Sequence, residues 1–242
     1  MSLTANNRNL LLGAVLGIVL VAGVPEGVLA QSSPVVVAQS GELEEAERLN
    51  QQVIELYRQG KYGEALPLAE KALAIRERVL GPDHPDVASS LNNLAEIHRK
   101  QGNYTEAEPL FLRSLAIKEQ HFGPEHPDLA YSLNNLATLY RARGNYREAE
   151  TFYQRALTIW EQSLGKDHPN VAIALDNIAG LYYKQGKYAE AETLLQRALT
   201  IFETALGPEH LSVAINLTTL AAVYEGQGKY SQAEALYERI LK

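Results

Sequence analysis

The chain has 242 residues, no cysteine, and a formal net charge of −7 at a pI near 5.4. Without cysteine there is no disulfide, thiolate nucleophile, cysteine-held metal or lipidated N-terminal cysteine. The acidic balance gives no net attraction to nucleic acid or anionic lipid, and no local basic patch stands out to supply one.

In chain order, Arg8 precedes an apolar run from Leu10 to Val24 that breaks at Pro25-Glu26-Gly27. The run falls short of the roughly 20 residues that cross a bilayer core and suits the core of an export signal, about 7 to 15 residues. Val28-Leu29-Ala30 then offers the small residues a signal peptidase reads. Residues 1–30 are therefore expected to be a signal peptide cut after Ala30, with a second candidate site after Ala38, and the mature chain to be secreted, periplasmic or held in the cell envelope. The membrane would be reached only through an uncleaved signal anchor. Residues 31–41, with Ser32, Ser33, Pro34 and Ser40, read as a flexible linker.

From there the chain is periodic. Rows of 42 residues align Leu91, Leu133, Leu175 and Leu217 at the start of LNNLA, LNNLA, LDNIA and LTTLA. Gly60, Gly102, Gly144, Gly186 and Gly228 form a second column, and tyrosines follow each of them two residues later. A period without insertions marks one supersecondary unit stacked on its own copies. The expected fold is all-α: a solenoid of antiparallel helix pairs over 42–242, with repeats 42–84, 85–126, 127–168, 169–210 and 211–242.

Each first helix is expected to start at a His-Pro pair such as His84-Pro85, since proline suits the first helical position. Glu64, Glu106, Glu148 and Glu190 have capping-box spacing at the start of the second helices, with Asn103 and Asn145 three positions before two of them. Each second helix is expected to close in a left-handed cap at Gly81, Gly123, Gly165 or Gly207. In the first repeat Tyr57 stands one residue nearer its turn glycine than Tyr140 does, which predicts a first helix shifted by one residue. His98 replaces a tyrosine and is expected to be a satisfied core residue.

Leu136-Ala137 with Tyr140, then Ala149, Tyr153 and Ala156, resembles the tetratricopeptide repeat position by position. The 42-residue period and the connectors LGPDHPDVA, FGPEHPDLA, LGKDHPNVA and LGPEHLSVA are similar to the kinesin light chain subfamily. The resemblance implies that first helices line a concave groove and that asparagines there hold peptides. Asn92, Asn93, Asn134, Asn135, Asp176 and Asn177 occupy two such columns, with Arg99, Arg141, Tyr183 and Lys184 further along. An amide donates and accepts together, which suits a peptide backbone; it equally suits burial between neighbouring helices that it bonds. Thr218 and Thr219 break the pattern in the fifth repeat. The basic column predicts a preference for acidic peptides.

Chemistry of other kinds is not signalled. His84, His126, His168 and His210 lie a full repeat apart, too far to share one metal. There is no HExxH, GxSxG, GxGxxG or phosphate loop. No catalytic residue, metal or cofactor is expected, and the chain reads as a binding scaffold or adaptor. Two other readings stay open: the targeting arm of a larger secreted enzyme with a protease-like domain, and a structural protein that self-assembles. Leu236, Tyr237, Ile240 and Leu241 form an apolar edge that predicts a contact with a second copy or a partner.

Overall fold

The computed structural model describes residues 34–241, with side chains from Gln39. The expected signal segment 1–30, its cut after Ala30, and residues 31–33 lie outside the described residues. Ten helices follow: α1 Pro34–Arg58, α2 Tyr62–Leu80, α3 Pro85–Lys100, α4 Tyr104–Phe122, α5 Pro127–Ala142, α6 Tyr146–Leu164, α7 Pro169–Lys184, α8 Tyr188–Leu206, α9 Leu211–Gly226 and α10 Tyr230–Ile240. They pack as consecutive antiparallel pairs, the all-α solenoid architecture expected, and there is no strand among the described residues. None of these helices is long and apolar enough to cross a membrane. The chain forms two compact units, one reaching Pro124 and containing α1–α4, the other running from Glu125 and containing α5–α10.

Small residues set the approach within each pair. Ala95 and Ala107, Ala137 and Ala149, Ala179 and Ala191, and Ala221 and Ala233 are all at most 2% exposed. A larger side chain at such a site typically costs about 1 to 3 kcal/mol through overpacking. Around them the second unit buries Leu195, Leu220, Val223 and Tyr224 in one cluster, and the first unit buries Val53, Ile54, Tyr57, Leu94 and Ile97 in another. Successive second helices are also stapled. Arg113 donates to Glu77 at 2.5 Å and to the Pro82 carbonyl at 3.0 Å; Arg197 repeats this on Glu161 and Lys166, at 2.7 and 3.2 Å. Arg239 pairs with Glu203 in the same way.

The connector histidines are helix caps. Nδ1 of His84, His126, His168 and His210 accepts the backbone N–H two residues on, at 3.1 to 3.3 Å. Each satisfies one of the orphan donors of a helix start, and Pro85, Pro127 and Pro169 fill the first position beside it.

Several expectations need correction. Helix α1 begins at Pro34, so residues 34–41 are helical and not a flexible linker; Pro34 takes the first helical position, where a missing N–H costs nothing. The alternative cut after Ala38 falls inside this helix. The first repeat is not shifted: Lys61 N–H bonds the Leu56 carbonyl as Asn103 does His98 and Asn145 does Tyr140. Leu56 thus holds the aromatic column, and Tyr57 is in register with Arg99. No capping box forms, because the Asn103 and Asn145 side chains make no cap bond. Tyr104 and Tyr146 N–H instead turn back to the carbonyls of Gly102 and Gly144. Gly81 closes α2 at φ 89°, ψ 158°, an extended glycine-only conformation in place of a left-handed helical cap. His98 is only partly buried, and its Nδ1 has no partner among the described residues.

Candidate peptide-binding face

A first helix packed against its own partner helix and a neighbouring repeat keeps one stripe for other contacts, at spacings of three, seven and ten residues. In α5 that stripe is Tyr131, Asn134, Thr138 and Arg141; in α7 it is Ile173, Asp176, Gly180 and Tyr183; in α9 it is Ile215, Thr218, Ala222 and Glu225. All of these are partly or fully exposed, Ile215 by 49%. Tyr131, Ile173 and Ile215 give one end of the face an apolar column that was not singled out from the sequence. The 42-residue spacing of three non-polar side chains was the signal available.

The asparagines serve the fold first. Asn177 donates Nδ2 to Oδ1 of Asn134 at 2.9 Å, joining α7 to α5. In the first unit Asn93 donates to Asn50 in the same way, also at 2.9 Å, joining α3 to α1. Asn92, Asn93 and Asn135 are at most 8% exposed, whereas Asn134, Asp176 and Asn177 remain partly open. In the fifth repeat, where Thr218 and Thr219 replace the amides, Asn216 takes over the joint. Its Nδ2 donates to Asp176 Oδ1 at 2.8 Å and to the Leu195 carbonyl at 3.2 Å. Burial pushes the Asp176 carboxyl up to about 6; the Asn216 bond and the Arg141 charge pull the other way.

The two arginines of the basic column differ. Arg99 lies against Glu96 of its own helix, with Nε and Nη2 donating at 2.7 and 2.6 Å. Glu96 is 6% exposed and also accepts the Tyr57 hydroxyl at 2.6 Å. Glu96, which has no repeat pattern to mark it in the sequence, neutralises the charge assigned to Arg99. Burial, then the Glu96 charge, raises the Tyr57 hydroxyl well above its ordinary range. Arg141 instead extends along α7 over Gly180, where a Cβ would fall 2.8 Å from its Nη1. The glycine leaves the room that the guanidinium occupies. Beyond it, Tyr183 rests its ring on Tyr188, centroids 5.8 Å apart, and Lys184 Nζ lies 6.0 Å from the Tyr183 centroid. No group of three or more histidine or acidic side chains converges on a metal position among the described residues.

A tetratricopeptide repeat family model matches residues 56–120, 86–162, 128–204 and 172–242. The chain belongs to the tetratricopeptide repeat family. Solved structures of similar tetratricopeptide arrays include one from Podosopora anserina described as a candidate kinesin light chain with nearly identical repeats. It is 28% identical, with a TM-score of 0.64, over 84% of this chain and 93% of that one. BtubC (BKLC) of P. vanneervenii is 24% identical, with a TM-score of 0.68, over 85% and 87%. The apo form of RapI is 19% identical, with a TM-score of 0.67, over 81% of this chain and 69% of that one. The kinesin light chain resemblance expected from the connectors is borne out by the first of these. No curated protein matches the chain. In tetratricopeptide terms, the structure keeps the amide columns between repeats and leaves Arg141 at the open face.

Proposed function

We propose that this tetratricopeptide chain is a non-catalytic scaffold that acts outside the cytoplasm and holds a protein or peptide ligand on the first-helix face of its second unit. The observation that carries the reading is Arg141. Its guanidinium makes no side-chain hydrogen bond among the described residues and lies over Gly180, between the apolar column and Tyr183. A peptide laid along this face meets Tyr131, Ile173 and Ile215 with apolar side chains, the open atoms of Asn134 and Asn177 with its backbone, and Arg141 with a carboxylate. Lys184 adds a second cation on the same side. The acidic preference therefore belongs to Arg141 and Lys184; Arg99 is a structural partner of Glu96. The apolar run Leu10 to Val24 and the small residues before Gln31 support the extracytoplasmic placement.

The reading is tested with a peptide array probed at low and moderate salt by wild type, Asn134→Ala and Arg141→Glu. Acidic peptides with one large apolar residue are expected to bind wild type, and Arg141→Glu to reverse the charge preference. Array patterns unchanged by both variants would refute the site.

A further inference from the structure

Helix α10 presents, one period later and in the same register, the surface on which α8 receives α9. On α8, Tyr188 lies beneath Gly226, whose Cβ would fall 2.6 Å from the ring. Glu192 accepts Gln227 Nε2 and Lys229 Nζ, both at 2.9 Å. Leu195 is fully buried, with Leu220 and Tyr224 in its cluster, and Gln196 donates to the Tyr224 hydroxyl at 3.3 Å. One period later stand Tyr230, Glu234, Tyr237 and Glu238. Here Tyr230 is 70% exposed, Tyr237 38% and Leu241 87%. Together with Glu225 and Ala233 they line a depression of about 370 Å³.

We propose that this face is a docking site for an amphipathic helix of a partner protein, seated as α9 is seated on α8. The internal joint defines the ligand: Leu or Val on one stripe, a small residue over Tyr230, and a lysine or arginine one turn later against Glu234. The charge of the socket narrows it further. Glu225, Glu234 and Glu238 stand where the internal joint has Tyr183, Glu192 and Gln196, so the occupant carries more positive charge than α9 does. A second copy fits poorly. Among the α1 residues with described side chains the exposed face is Glu44, Arg48, Gln51, Gln52 and Glu55, which offers no apolar stripe, and a tail-to-tail pair would set the glutamates of one socket against those of the other. The inference does not rest on peptide binding at the first-helix face, with which the socket shares only Glu225.

The probe is a fluorescently labelled peptide with the sequence of residues 211–229, the segment that covers α8, titrated into the whole chain and followed by anisotropy. Saturable binding in the micromolar range is expected, weakened at least fivefold by Glu234→Lys in the protein or by Lys229→Glu in the peptide, and restored when the two changes are combined. Glu192→Lys, at the occupied joint, should not reproduce the swap. Tyr237→Lys should abolish binding while leaving the helical circular dichroism intact. Absence of saturable binding, or binding indifferent to Glu234, would overturn the proposal. So would sedimentation showing that the free chain dimerises through this face and that Glu234→Lys disrupts the dimer.

Discussion

The amide of Asn177 donates to the side-chain oxygen of Asn134 across 2.9 Å, from one first helix to the preceding one. A bond of this kind contributes about 1 kcal/mol net, and more is lost when one buried partner is left alone. Asn134→Ala and Asn177→Ala are each expected to destabilise the chain by about 1 to 2 kcal/mol, with a double-mutant coupling near 1 kcal/mol in urea unfolding. Strict additivity would mean that the bond contributes nothing.

Asp176 predicts an unusual pH response. Its folded pKa, about 6, stands above the ordinary 3.8, so between these values the folded chain holds the proton more tightly than the unfolded chain. Its contribution is therefore most favourable below about pH 4 and is lost as pH rises through 6. The facing groups are Asn216 from α9 and Arg141 from α5. Asp176→Asn restores the residue found at positions 92 and 134 in the same column. It is expected to raise the melting temperature at pH 8, by an amount worth at most roughly 3 kcal/mol, and to leave it nearly unchanged at pH 4. Equal effects at both pH values would contradict the upward shift of this carboxyl.

Arg99 is expected to matter for stability and not for ligand binding. Removing it leaves Glu96, 6% exposed, with only the Tyr57 hydroxyl, and breaking such a buried pair costs about 3 kcal/mol. Arg99→Ala should lower the unfolding midpoint clearly, and Arg99→Ala with Glu96→Ala should recover part of the loss. Loss of peptide binding with unchanged stability would reverse the assignment.

The repeat frame was legible because small residues, turn glycines and His-Pro starts recur at one spacing, and each has a steric reason to do so. Tyr57 misled for an equally physical reason. An aromatic beside the turn marks the packing column elsewhere, yet here Leu56 fills that column and the tyrosine turns to Glu96. The amide columns were visible, but an asparagine side chain satisfies a neighbouring helix or a ligand with the same atoms. Only the distances from Asn50 to Asn93 and from Asn134 to Asn177 show that the neighbour comes first. Gly180 carried no signal at all, since its importance lies in the reach of Arg141 from the preceding repeat.

Gly180→Ala separates stability from binding. Alanine is the better helix former by about 1 kcal/mol, and the new methyl meets only the mobile end of Arg141. The variant is expected to melt at or above the wild-type temperature while binding acidic peptides more weakly. A destabilised variant with unaltered binding would show that the guanidinium position is immaterial.

The most direct measurement is calorimetric titration of one acidic array peptide into wild type and Arg141→Glu, at about 50 and 300 mM salt, a range over which exposed charges become largely screened. The account predicts at least fivefold weaker binding for the variant at low salt, equivalent to about 1 kcal/mol, and a gap that narrows at high salt. Equal affinities for wild type and variant at both salt concentrations would contradict the claim that the second unit's first-helix face binds ligand through Arg141.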